Sequence, residues 1–254
     1  MFLTGGIDII TEAVTKRRID ILLVDRELAE SRAKAQSLIM AGEVMVAGKA
    51  IIKPGTLVAE EAVIIILKPP PFVSRGGIKL DFALDKFHLD VSSKVVADIG
   101  ASTGGFTDCL LQRGAKRVYA VDVGYGQLDY RLRCDPRVVV MERVNARYPI
   151  ALPEKVDLET IDLSFISVEK VIPSVAQLLS ENGYILVLIK PQFEARRDEV
   201  GKGGIVKKPV THARVLGRFI NWVVNHGFRI GGLVASPILG ASGNREFFVH
   251  LRLT

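Results

Sequence analysis

The sequence predicts an α/β protein, with a mostly parallel, doubly wound sheet over residues 75–254 and a small α+β domain over residues 17–67 before it. Three observations carry this. From Val95 onward, short apolar runs of the kind that fill buried parallel strands alternate with segments whose apolar residues recur at helical spacing. Three prolines, Pro69 to Pro71, separate that region from a shorter one patterned differently. A glycine-rich turn, Asp98-Ile-Gly-Ala-Ser-Thr-Gly-Gly-Phe-Thr-Asp108, stands where the first strand of the alternation gives way to a helix.

Residues 1–16 form an unassigned tail that carries Asp8 and Glu12, lacks a basic start and does not read as a signal peptide. After Arg17 and Arg18, the residues Ile19, Leu22, Leu23 and Val24 make one apolar helix face. Ser31 caps a second helix with Ala35, Leu38 and Ile39 inside, and Gly42 ends it. Arg32 and Lys34 fall in the first turn of that helix, where the macrodipole disfavours cations, so a docked anionic backbone would account for them. Residues 44–46 and 51–52 flank a turn at Ala47-Gly48, and 62–67 adds a strand. A stiff, proline-rich linker spans 68–74. A helix then carries Leu80, Ala83, Leu84 and Phe87, with Lys79 in its first turn. Strands follow at 95–99, 118–122, 138–141, 156–163, 184–189, 231–235 and 247–253, with helices from 106, over 168–179 and over 212–226.

Composition narrows the function. Of 254 residues 48% are apolar, enough for a full core, yet no run approaches the roughly 18 residues of a membrane helix. Cys109 and Cys134 have no metal or redox spacing and read as reduced thiols of a cytoplasmic protein, with no metal site. The net charge of +6 suits a polyanionic partner, and its placement says more. Residues 1–67 hold eight Lys and Arg against nine Asp and Glu, whereas 190–218 hold eight against three. The glycine-containing part of that basic stretch, 196–208, reads as a mobile loop able to close over phosphates.

The glycines at 100, 104 and 105 let a ligand approach the backbone at a strand end and a helix N-terminus. Their spacing departs from the dinucleotide pattern, and Asp98 stands two residues before the first of them. The stretch resembles the first motif of S-adenosylmethionine (SAM) methyltransferases. That resemblance implies a cofactor site built from Asp98, Gly100, Ala101, Ser102, Thr103, Gly104 and Gly105, with Asp122 on the ribose and Asn145 or Asp162 near the adenine or methionine end.

Four polar residues stand at element ends: Lys79, Asp162, Lys190 and Glu246. The set resembles the Lys-Asp-Lys-Glu tetrad of FtsJ-like ribose 2′-O-methyltransferases, which implies that these four are catalytic. Arg17 to Lys53 resembles the RNA-binding module of ribosomal small-subunit protein four, which implies phosphate contacts from Arg17, Arg18, Arg32, Lys34 and Lys49, and Arg75 joins them as an RNA contact. Ala47 stands where that module usually has Asn. The strings Ser74-Arg75-Gly76-Gly77, Asp98 to Asp108, Val121 to Leu128, Asp162-Leu163-Ser164-Phe165, Lys190-Pro191-Gln192-Phe193-Glu194 and Gly243-Asn244 occur in order. Together they resemble the TlyA, or haemolysin A, family. This implies a Rossmann-like SAM methyltransferase fold acting on cytidine 2′-hydroxyls of ribosomal RNA, with ribosomal subunits as partners. Three other readings are an RNA base methyltransferase, a membrane-active haemolysin and a non-catalytic RNA-binding factor.

Overall fold

The structure, a computed structural model, describes residues 15–67 and 70–253 in two compact units that divide between Pro70 and Pro71. Of the expected tail, only Thr15 and Lys16 lie within the described residues. Lys68 and Pro69 of the expected linker lie outside them.

In the smaller unit, β1 (Lys16–Arg18) runs straight into α1 (Ile19–Asp25), and α2 (Arg32–Met40) follows. β2 (Val44–Val46), β3 (Lys49–Ile51), β4 (Leu57–Ala59) and β5 (Ile64–Ile66) make up the rest. β3, β2 and β5 form one antiparallel sheet, and β1 pairs with β4. Ile19, Leu22 and Leu23 pack against Ala35, Ile39 and Val44 as a continuous core. Ser31 Oγ accepts from Lys34 N at 3.2 Å, as an N-cap should.

Two details of this unit correct the sequence reading. Arg32 needs no bound anion to explain it, because its Nε lies 3.0 Å from the fully buried carboxylate of Asp20. Arg18 and Gln36 donate to the same carboxylate, and these donors hold it far below the usual carboxylate range. The β1–β4 pair was also unforeseen, since Lys16-Arg17-Arg18 shows no apolar alternation. Ala47 and Gly48 both take positive φ, +49° and +76°, so the hairpin turn is of the primed kind and Ala47 is strained in it.

In the larger unit α3 (Arg75–Lys86) precedes β6 (Val95–Ile99), α4 (Gly105–Gln112), β7 (Arg117–Val121), α5 (Tyr130–Arg133) and β8 (Val138–Met141). β9 (Val156–Ile161), α6 (Ile172–Val175), β10 (Leu179–Ile189), α7 (Pro191–Glu194), α8 (Pro209–Asn225), β11 (Phe228–Ala235) and β12 (Phe247–Leu253) follow. One seven-stranded sheet runs in the order β11-β12-β10-β9-β6-β7-β8, parallel from β10 to β8 and antiparallel at β12 and β11. Leu80, Leu84 and Leu110 pack on one face, and Ile172, Val175, Val215 and Phe219 on the other. The chain order reverses between β6 and β9, so a crevice opens at their carboxyl ends, as in other doubly wound sheets.

Lys79 is the fifth residue of α3 rather than a first-turn residue, so it does not oppose the macrodipole. The continuous helix expected over 168–179 is broken into a 3-10 turn (Val168–Lys170), α6 and a second 3-10 turn (Ala176–Leu178). Pro173 lies in the first turn of α6, where its missing N–H is harmless, whereas a longer helix running through it would lose a hydrogen bond.

Glu159 is a cost inside this sheet. It sits in register between Ala97 and Ile185, fully buried, and among the described residues neither carboxylate oxygen has a hydrogen-bond partner. Burial pushes its carboxyl well above the ordinary 4.5. A raised acid contributes stability below its unfolded value and loses it as pH rises through the folded value. The stability difference between Glu159→Gln and the unsubstituted protein should therefore shift in the variant's favour from about pH 6 to about pH 9, read from urea midpoints. Ala47→Asn should stabilise the smaller unit by up to about 1 kcal/mol, since Asn accepts the left-handed conformation more readily; thermal denaturation reads this.

Candidate active site

At the end of β6 the backbone turns sharply. Gly100 has φ +89°, and a Cβ there would lie 2.4 Å from the carbonyl oxygen of Asp162. The N–H groups of Gly100 and Ala101 both donate to Val121 O, at 2.8 and 3.1 Å. Ser102, also at positive φ, donates its N–H to Asp122 Oδ2 at 2.8 Å, and Asp122 Oδ1 accepts from Gly124 N at 2.6 Å. The Asp122 carboxylate is thus fixed at the end of β7 with lone pairs to spare.

Asp98 behaves differently from the expectation. Its side chain is fully buried and accepts from the hydroxyls of Thr107 on α4 (2.7 Å) and Thr160 on β9 (2.9 Å). Burial pushes its carboxyl up to about 6, while the two hydroxyls pull it back. It fastens helix to sheet beneath the turn and lines no cavity at the site. Gly104 also turns away from the crevice, where a Cβ would meet Leu132.

A cavity of about 500 Å³ opens above the strand ends, lined by Gly100, Ser102, Val121, Asp122, Gln127, Val144, Asn145, Asp162, Leu163, Phe165 and Ile166, among others. A smaller one of about 130 Å³ is lined by Ser74, Gly76, Lys79, Gly100, Ala101, Ser102, Thr103, Gly105, Phe106 and Asp162. The two share Gly100, Ser102 and Asp162. The larger offers apolar walls and a fixed carboxylate, and the smaller is polar. That division fits an elongated nucleoside with a charged tail.

The four tetrad candidates form two ion pairs. Lys190 Nζ lies 2.5 Å from Asp162 Oδ1 and 3.2 Å from Ser164 Oγ. Lys79 Nζ lies 2.5 Å from Glu246 Oε2, with both side chains buried. Lys79 and Asp162 line the same small cavity. The positions follow from the fold: Asp162 and Lys190 immediately follow β9 and β10, Glu246 immediately precedes β12, and Lys79 points in from α3.

Sequence reasoning missed Ser164, Phe165 and Gln127. Phe165 is 89% exposed, holds φ +65° and packs its ring 5.1 Å from that of Phe193 at the cavity edge. A large aromatic side chain in strained backbone facing solvent is a mark of function, but neither property is visible in the string Asp-Leu-Ser-Phe. Buried Cys109, its thiol pushed up by burial and Asp81, is unsuited to act as a nucleophile. The described residues hold no cluster of three or more potential metal ligands.

Of the expected RNA contacts, Arg17 pairs with Asp25 and Glu60, and Arg18 and Arg32 pair with Asp20. The side chains of Lys34 and Lys49 have no partner among the described residues. Arg75 donates to Leu239 O at 2.5 Å.

Comparison with known proteins bears on this geometry. Residues 72–253 match the FtsJ-like methyltransferase family, and residues 17–64 match the S4 domain. The chain is 45% identical to the Mycobacterium tuberculosis 16S/23S rRNA (cytidine-2′-O)-methyltransferase TlyA, over 93% of this chain and 90% of that one. It belongs to the TlyA family. A Bacillus subtilis relative provisionally named an rRNA methyltransferase, YqxC, is 49% identical over 93% of this chain and 85% of its own length. A solved structure from Streptococcus thermophilus, provisionally named a haemolysin, superposes with a TM-score of 0.71 at 43% identity, covering 95% of this chain and 90% of that one. Despite that older name, no helix among the described residues of this TlyA-family chain is long and apolar enough to cross a membrane.

The buried Lys79–Glu246 pair makes a sharp prediction. Lys79→Met leaves a buried carboxylate without its counter-charge and should destabilise the larger unit by about 3 kcal/mol or more. Adding Glu246→Gln should recover much of that loss in urea unfolding.

Proposed function

We propose that this chain methylates ribose 2′-hydroxyls of ribosomal RNA, cytidine being the nucleotide, with SAM as the donor. Large-subunit RNA is the principal substrate, and small-subunit RNA is a second one. The observation that carries this is the pair of lysine–carboxylate contacts, Lys190–Asp162 and Lys79–Glu246, at one crevice beside the glycine turn. The crevice fits SAM by the chemistry of its lining. In this reading Asp122 accepts from the ribose hydroxyls, Val121, Val144, Leu163 and Ile166 pack on the adenine ring beside Asn145, and the polar small cavity takes the amino-acid end; the linings of the two cavities support it. SAM, when bound, supplies an electrophilic methyl group.

The chain's own residues prepare the acceptor. Lys190 orients the 2′-hydroxyl and stabilises the negative charge that grows on its oxygen as the proton leaves. Asp162 and Ser164 hold the Lys190 ammonium in place. Lys79, fixed by Glu246, bounds the other side of the crevice and orients the nucleotide. The exposed ring of Phe165 offers a stacking face for a base drawn out of its helix. Fixed geometry of this kind can contribute a large part of the rate acceleration. The smaller unit binds the RNA, with Lys34 and Lys49 among its unpaired cations. Ribosomal RNA as substrate places the protein in the cytoplasm.

Lys190→Ala should lower methyl transfer to ribosomal RNA by about 10²-fold or more while SAM affinity stays near that of the unsubstituted protein. Mapping alkali-resistant linkages in ribosomal RNA from cells with and without the protein tests the reaction class. If no cytidine 2′-O-methyl group depends on the protein, the proposal fails.

A further inference from the structure

The segment between α7 and α8, residues 195–208, carries five Lys and Arg against two Asp and Glu, and it is folded rather than open. Two 3-10 turns, Arg197–Glu199 and Lys202–Gly204, enclose a cavity of about 500 Å³ that shares no lining residue with those at the strand ends. Glu199 holds one side, accepting from Arg196 N at 3.0 Å, Arg214 at 2.9 Å and Arg218 at 2.8 Å. Asn244, 1% exposed, holds the other. It donates to Gly204 O and accepts from Val206 N, each at 2.9 Å. The expected mobile loop is therefore a braced one.

The charges divide cleanly. The Glu199 carboxylate is engaged by Arg214 and Arg218. Lys202, Lys207 and Lys208 are exposed and line the cavity, and their ammonium groups have no ion-pair or hydrogen-bond partner among the described residues. Asp198 is the other carboxylate in the lining. Three uncompensated lysines around a braced hollow present point charges, and the planar guanidinium in the lining, that of Arg214, is tied to Glu199. That chemistry suits a phosphate.

We propose that this hollow docks a backbone phosphate of the RNA substrate, away from the reacting ribose. The inference rests on the RNA reading above and adds where the strand is held. Asn244, which braces the hollow, lies two residues before Glu246, which holds Lys79. The phosphate dock and one catalytic pair thus hang from the same short segment, so the dock sets the register of the strand relative to the active site.

The test uses the full chain with Lys202→Gln, Lys207→Gln and Lys208→Gln combined, and large-subunit RNA as the probe. The slope of log affinity against log salt should become shallower by about 0.7 to 0.9, the change that one lost phosphate contact gives. The RNA KM should rise about tenfold or more, with kcat at saturating RNA and SAM affinity unchanged. The matching triple Lys→Arg variant should bind RNA as the unsubstituted protein does, because charge is what the dock requires. An unchanged salt slope in the Gln variant, or failure of the Arg variant to bind, overturns the dock while leaving the methyltransferase reading intact. If the unsubstituted protein neither binds nor methylates ribosomal RNA, both fall.

Discussion

Gly100 and Asp162 approach each other more closely than any side chain on Gly100 would allow. Asp162 N donates to Ile99 O at 3.0 Å, while the missing Cβ of Gly100 leaves room for the Asp162 carbonyl. This contact joins the glycine turn after β6 to the end of β9 across the point where the sheet reverses its winding. The positions of the other groups follow. Asp162 reaches Lys190 from here, both cavities share this corner, and the turn directs Ser102 toward Asp122.

The charges of the molecule divide into two kinds with different tasks. Those in pairs set geometry: Asp20 gathers Arg18 and Arg32, Glu199 gathers Arg214 and Arg218, and the two tetrad pairs fix the crevice. Among the side chains without partners in the described residues, Lys34, Lys49, Lys202, Lys207 and Lys208 are free to meet something outside the chain. Net charge alone hides this division. The smaller unit looks nearly neutral in sum because its arginines are balanced internally, not because it lacks cations to offer.

Much of this was legible in the sequence. The alternation of strand and helix patterns and the glycine turn are local features, and local features survive in a linear string, whereas the four tetrad residues came from a family resemblance. What was not legible depends on partners far along the chain or on backbone angle. Asp98 meets Thr107 and Thr160, nine and 62 positions away, and without them its burial cannot be inferred. Arg32 looked misplaced on its helix until Asp20, twelve positions earlier, supplied the reason. Lys79 was expected in the first turn of its helix, yet α3 begins at Arg75 and runs through Gly76 and Gly77, where Gly77 makes room for Phe72. The exposure of Phe165 arises from a left-handed turn that no residue in its string announces.

The Lys79–Glu246 contact closes a span of 167 residues, and β12, which follows Glu246 directly, lies inside the sheet between β10 and β11. Contacts across such separations must overcome a large loop-closure entropy and tend to form late in folding. The glycine turn and its neighbouring strands can therefore take shape while Lys79 is still without its counter-charge. The pair closes only when the C-terminal strand is in place beside β10. A chain whose sheet is unfinished therefore lacks the Lys79–Glu246 contact, and with it one of the two fixed charge pairs of the crevice.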